Sequence, residues 1–385
     1  MDKRAAALSI FLISLVLSLA GVVFVYTGSY FWCLKHGLHP YSYALKQAVA
    51  LGIGVTLSLL IYKKVDYRKV ASEKFLWLLY GSANLFLLAV LFFGREINNS
   101  KSWIVIGGFS LQPAEFAKVL VILFVSGYIQ YKWSDIQNDW RDFAKLMVLA
   151  FIPVILILLE KDLGSAMILS IVIFAILFIT GLNLRYIVIP ALFGLGLFTF
   201  AVVTAPYRIA RIKILLDPEK YYYTSGKYSS YQLVQAFVAF ASGGLTGMGI
   251  GQGVQSKFLF LTFAFSDFMF SHVAEEVGAV GALLVVIAYF GILFLGLSIA
   301  DRSDEMVGKF MALGLTLYIF LEAVVHIGVN LGLVPTTGIT LPFLSMGGSS
   351  LIANFLAVGF LMSIAKGLPS ESKVKIRFKV RGKYA

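Results

Sequence analysis

The chain has 385 residues, 59% hydrophobic and 14% charged, with a net charge of +12 and a single cysteine, Cys33. Soluble domains average roughly 45–50% apolar and about 25% charged residues, and a soluble core stops growing near about 250–300 residues. This composition excludes a soluble protein, a disordered chain and a secreted disulfide scaffold, and cations scattered between apolar runs point to a membrane surface and away from nucleic acid.

In chain order, Asp2-Lys3-Arg4 precede an apolar stretch from Ala5 to Tyr26. A signal-peptide core runs about 7–15 residues, so this longer stretch reads as an uncleaved span. A crossing helix needs about 20 apolar residues. The spans then fall near 5–27, 43–62, 75–93, 115–130, 146–160, 164–181, 186–204, 272–298, 309–331 and 346–365. The expectation is an all-α, multi-pass membrane protein of ten helices, a single domain over 1–385. Ten spans put both termini on one side, which holds 20 of the 32 Lys and Arg. The other side holds 12, six of them in one long loop that the positive-inside rule discounts. Both termini are expected in the cytoplasm, with the basic tail 366–385 along the inner leaflet, attracted by anionic membrane lipids.

Residues 205–271 form the one long outer connection, and such loops are usually functional or disordered. Leu233–Phe240 and Phe258–Phe265 are too apolar for disorder. Part of this segment is therefore expected in or against the membrane, and function with it.

Six cations lie in the loop: Arg208, Arg211, Lys213, Lys220, Lys227 and Lys257. Scattered solubilising charge is one explanation. Against it, Arg208 and Arg211 are i, i+3, so a helix places both on one face, and paired guanidinium groups suit phosphate oxygens. Gly243–Gly253 reads GGLTGMGIGQG, with no strand before it and no acidic residue in dinucleotide-binding context. Tight packing of loop backbone at the membrane face is the expected use of these glycines.

Glu115 and Lys118 are i, i+3 at the start of the fourth span, behind Pro113. Either they form an ion pair that neutralises two costly charges, or they meet an anion drawn to the helix N-terminus. Asp162 sits in the turn Glu160-Lys-Asp-Leu-Gly-Ser-Ala166, where turn chemistry competes with a functional role. Asp267 is the sharpest signal, the only charge between Phe258 and Phe270. A carboxylate among apolar neighbours gains proton affinity, which suits a general base; capping the eighth span is the alternative. Glu275 and Glu276 need only the helix macrodipole. The four histidines, His36, His39, His272 and His326, show no metal spacing, and neither HExxH nor a nucleophile elbow occurs.

Taken together, several stretches resemble the SEDS family, the polytopic FtsW, RodA and SpoVE proteins of bacterial cell-wall synthesis. They are Ser102–Lys118 (SWIVIGGFSLQPAEFAK), Asp162–Ala166 (DLGSA), Tyr231–Gln235 with Ser242-Gly-Gly-Leu, Asp267-Phe with Glu275-Glu-Val-Gly278, and Asn330–Ser350 (NLGLVPTTGITLPFLSMGGSS). The resemblance implies a peptidoglycan glycosyltransferase of the bacterial inner membrane that polymerises lipid II beside a class B penicillin-binding protein. It implies that Asp267 is the catalytic aspartate and adds Ser349 of the last signature to a substrate-binding set with Glu115, Lys118, Asp162, Arg208, Arg211 and Lys257. The chain departs from the family where Thr262-Phe-Ala-Phe-Ser266 replaces the usual Pro-Glu-x-His-Thr, and where Met346 replaces a usual Tyr. Gly338–Pro342 and Lys257–Phe260 lean toward the FtsW branch. The short N-terminus and the Gln255-to-Asp267 spacing lean toward RodA.

Pyrophosphate leaves without protonation, so one base plus cations that stabilise phosphate charge suffice. A divalent cation, Mg or Mn, is compatible with the second role. The alternative function for the same polar cleft is a flippase for lipid-linked precursors.

Overall fold

The computed structural model describes residues 3–97, 100–106, 109–224 and 229–367; Lys227 and nearly all of the basic tail lie outside them. The helices are α1 (Lys3–Lys35), α2 (Ser42–Lys64), α3 (Glu73–Phe93), α4 (Pro113–Tyr131), α5 (Trp133–Asn138), α6 (Trp140–Leu159) and α7 (Leu163–Ile179). They continue as α8 (Leu184–Val203), α9 (Pro206–Leu216), α10 (Tyr231–Gly243), α11 (Val254–Lys257), α12 (Met269–Asp301), α13 (Met306–Asn330) and α14 (Gly348–Gly367). Every apolar stretch expected to span the membrane is helical. Among the described residues nine helices are long and apolar enough to cross, and α7, 17 residues long, occupies the place of the sixth expected span.

Local chemistry explains the helix starts. Pro113 opens α4 at a position where its missing N–H costs nothing. Asp139, Asp162 and Asn183 cap α6, α7 and α8 by accepting from Arg141, Ser165 and Arg185 N–H groups. Burial then sorts the helices: 78% of the spanning window of α4 and of α14 is enclosed by protein and 72% of α13, against 6% of α8. The first three form the centre, and α8 is peripheral, with Leu192, Phe193, Leu197 and Phe200 turned outward. Helices α2 and α14 approach closely where Gly54 meets the Phe355 ring, the small-residue packing that bilayers favour.

One feature departs from the all-helical expectation. Between α3 and α4 the chain forms a three-stranded antiparallel sheet, β1 (Arg95–Ile97), β2 (Ser100–Ile106) and β3 (Phe109–Leu111), with Ile104 opposite Leu111. The β-branched run Ile104-Val105-Ile106 favours strands.

The glycine-rich segment has a structural use. Helix α12 breaks at Gly278 (φ 73°, ψ −177°), and the loop after α10 fills the break. Met248 and Gly249 N–H groups donate to the Glu275 and Glu276 carbonyls, both at 2.9 Å. Ala279 and Val280 N–H groups donate to the Gly244 and Leu245 carbonyls, at 2.9 and 3.2 Å. Backbone freed inside a membrane protein must find such partners. A side chain at Gly278 would collide with the Leu245 carbonyl, and one at Gly247 with that of Glu276.

Candidate functional site

Asp267 closes the outer segment, two residues before α12. Helix α12 is capped by Phe268 with no side-chain hydrogen bond, so Asp267 does not act as its cap. The backbone leading to it is clamped from three sides. Met346 N–H donates to the Phe265 carbonyl at 2.9 Å, Ser345 Oγ to the Ser266 carbonyl at 2.8 Å, and Asn330 Nδ2 to the Asp267 carbonyl at 3.1 Å. Asn330 is itself fixed, because its Oδ1 accepts from both Ser271 N–H (3.0 Å) and Ser271 Oγ (2.7 Å). Gln47 on α2 braces the same corner, donating to the Ser345 carbonyl at 3.0 Å. Backbone contacts therefore hold the Asp267 segment and leave its carboxyl for other work.

That carboxyl is partly buried. Desolvation raises its proton affinity, and the Arg211 guanidinium and Ser266 hydroxyl pull it down; burial prevails and the group sits above the usual carboxylate range. Arg211 in turn feels the Asp267 and Asp162 carboxylates and the Arg208 cation, while its own burial lowers its proton affinity. Its Nη1 donates to the Thr336 carbonyl at 2.7 Å, tying α9 to the loop before α14. Arg208 donates to the Ala201 carbonyl at 2.7 Å. Both guanidinium groups lie over the Tyr207 ring, at 5.2 and 5.9 Å. The Arg208 Nε is buried without a partner among the described residues.

Asp162 caps α7 through Oδ1 (Ser165 N–H, 3.0 Å), while Oδ2 accepts from Gln112 Nε2 at 3.4 Å. Gln112 N–H then donates to Ser349 Oγ at 2.9 Å. Turn chemistry at Asp162 thus coexists with a weak electrostatic influence on Arg211. The structure gathers Asp267, Arg211, Arg208 and Asp162, and joins Ser349 to them through Gln112.

Glu115 and Lys118 lie differently from a pair facing an open groove. Lys118 is 1% exposed. Its Nζ contacts Glu115 Oε1 at 2.8 Å and Glu322 Oε1 at 2.5 Å, with the Tyr318 ring 5.2 Å away. Asn354 donates to Glu322 at 3.3 Å. The ion-pair alternative is what the structure contains, widened by a second carboxylate. Lys257 is exposed at the end of α11 and makes no ion pair among the described residues.

Sequence reasoning missed Glu322, Asn330, Ser345 and Gln47 as individual actors. Glu322 carried a signal, the lone acid within the apolar α13. The macrodipole explanation of Glu275 and Glu276 is also corrected: both are buried. Glu275 Oε1 accepts from Gln255 N–H at 2.9 Å, and Glu276 Oε2 from Thr27 Oγ1 at 3.1 Å. They fasten the outer segment and α1 to the broken helix.

Among the described residues no three His, Cys, Asp or Glu side chains gather as a metal site. The carboxylates at the site are Asp267 and Asp162, a set that fits a hard cation only with substrate phosphates as further ligands.

A family model, "Cell cycle protein" of the FtsW/RodA/SpoVE group, matches residues 7–369. The chain belongs to the FtsW/RodA/SpoVE family. It is 34% identical to stage V sporulation protein E of Bacillus subtilis over 364 residues, covering 94% of this chain and 98% of that one. With the probable peptidoglycan glycosyltransferase FtsW of Thiomicrospira cyclica it shares 36% over 368 residues, 94% and 92% of the two chains. In three dimensions it superposes on a chain of a peptidoglycan synthase complex that coordinates polymerization and crosslinking (TM-score 0.74, 29% identity, 93% and 96% covered). It also superposes on the rod shape determining protein RodA of Thermus thermophilus (TM-score 0.68, 26% identity, 94% and 97% covered). This FtsW/RodA/SpoVE membership agrees with the polytopic helical fold and with residence in the inner membrane.

Proposed function

We propose that this chain is a peptidoglycan glycosyltransferase that polymerises lipid II at the outer face of the cytoplasmic membrane, with Asp267 as general base. The single observation that carries the reading is the clamped Asp267 segment, whose proton-seeking carboxyl lies within electrostatic reach of Arg211. A sugar hydroxyl of the acceptor gives its proton to the Asp267 carboxylate as its oxygen attacks the donor's anomeric carbon. A new C–O bond forms and the bond to undecaprenyl pyrophosphate breaks, its electron pair leaving with the phosphate. Arg211 and Arg208 stabilise that charge without moving. Asp162 and Ser349 hold the start of α4 in register through Gln112, and the Ala201 and Thr336 carbonyls hold the two arginines. A divalent cation, when bound, adds Lewis-acid stabilisation of the pyrophosphate.

Enclosure of Lys118 by Glu115 and Glu322 suits a positioning role beneath the site better than direct phosphate contact. Likeness to a chain of a synthase complex supports a partnership with a class B penicillin-binding transpeptidase. The test is purified protein, with that partner, given lipid II in detergent. Glycan strands support the reading. Absence of strands, together with labelled lipid moving between leaflets of vesicles, would replace it with the flippase.

A further inference from the structure

On the opposite face of the molecule, the inner ends of α3, α4 and α6 line an open, shallow groove of about 590 Å³. It is lined by Trp77, Tyr128, Trp140, Arg141, Ala144, Lys145, Val148 and Leu149, and its composition changes with depth. Trp140, Arg141 and Lys145 occupy the first turns of α6, and Ala144, Val148 and Leu149 continue the wall inward. Arg141 to Leu149 spans about 12 Å of helix. Trp77 and Trp140 are exposed, at the level where indole rings settle between headgroup and hydrocarbon.

Charge decides the occupant. Lys145 pairs with Asp142 at 2.7 Å and Lys132 with Asp135 at 3.0 Å. The Asp139 side chain is engaged in capping, accepting from Arg141 N–H at 2.8 Å. Among the described residues the exposed Arg141 guanidinium has no carboxylate partner. The rim therefore keeps one free guanidinium, whose planar donors match a phosphate, above apolar walls that match acyl chains. Basic pockets between helices on the cytoplasmic side take anionic lipid headgroups.

We infer that this groove is a specific site for an anionic phospholipid of the inner leaflet, phosphate on Arg141 and chains along Ala144, Val148 and Leu149. The site is independent of the catalytic reading, since its residues lie at the other membrane face.

The test is native mass spectrometry of the full-length protein released from nanodiscs holding equal phosphatidylglycerol and phosphatidylcholine. Wild type should retain phosphatidylglycerol preferentially. Arg141→Gln should lower that preference about fivefold, the worth of one surface cation, and Lys145→Gln, whose cation is paired with Asp142, should lower it less. Both positions are exposed, so melting temperatures should not change. Lys63→Gln, an exposed cation at the same membrane level outside the groove, should leave retention unaltered. Equal retention of the two lipids, or an equal loss from Lys63→Gln, would reduce the groove to ordinary lipid contact and overturn the inference. Displacement by glycerol phosphate, which lacks chains, would make it a phosphate site and would overturn it equally.

Discussion

The side-chain amide of Asn330, at the end of α13, donates to the backbone carbonyl of Asp267 over 3.1 Å. Because Asn330 also receives two hydrogen bonds from Ser271, it locks the base-bearing residue to the first turn of α12. Asn330→Ala should leave the Ser271 N–H buried without its partner, costing about 1–3 kcal/mol. The larger effect should be on chemistry: misplacement by about 1 Å costs roughly 10²-fold. Steady-state polymerisation should show kcat falling with KM nearly unchanged, and a pure loss of thermal stability with normal kcat would remove Asn330 from the positioning role.

Arg211 offers a test by pH. Its guanidinium lowers the proton affinity of Asp267 against the raising effect of burial. A base works when deprotonated, so activity is lost on acidification through its pKa. Arg211→Gln removes the lowering influence, and the acid limb of the rate profile should move to higher pH, with KM rising as the phosphate contact is lost. An unmoved limb would separate the two residues.

Lys118 sits between Glu115 and Glu322 with almost no exposure. Removing the cation from a buried ion group leaves charges uncompensated, at about 3–5 kcal/mol. Lys118→Met should therefore melt well below wild type in detergent, and adding Glu322→Gln should restore part of the loss. Melting of Lys118→Met at the wild-type temperature would contradict the enclosed pair.

Glu160 follows α6 in the turn before α7. Burial, with the nearby Asp162 carboxylate adding to it, pushes its pKa up from 4.5 to about 9. A folded-state value raised above the unfolded one stabilises the fold fully at low pH, and that contribution is lost as pH rises from 4.5 through about 9. Glu160→Gln does not titrate, so its melting temperature relative to wild type should climb across that window. A constant difference would mean that Glu160 is ionised in the fold at neutral pH.

The helical framework was legible because hydropathy over about 20 residues is a strong signal, and Asp267 was legible as a lone carboxylate in a phenylalanine-rich run. The break in α12 was not. Gly278 looks like any glycine of a membrane helix, and only the Gly244–Gly249 backbone entering from far along the chain reveals its left-handed conformation. Glu275 and Glu276 were misjudged for the same reason, since the macrodipole is a local argument and their partners, Gln255 and Thr27, are distant in sequence. The strands at Arg95–Ile97, Ser100–Ile106 and Phe109–Leu111 are short, and the continuous apolar run Ile104-Val105-Ile106 lacks the alternation that marks a half-buried strand in sequence.

The most direct test of the central claim is polymerisation of lipid II by purified Asp267→Asn with its partner transpeptidase. Asn preserves size and the backbone contacts to Asn330 while removing the base. The folded state raises the proton affinity of Asp267, so its ionised form opposes folding, and that cost is present once pH exceeds the folded pKa. The variant should accordingly melt no lower than wild type at neutral pH. Its polymerisation should fall by about 10²–10⁴-fold, the usual contribution of a positioned general base. A folded Asp267→Asn protein that makes glycan strands at the wild-type rate would contradict the account.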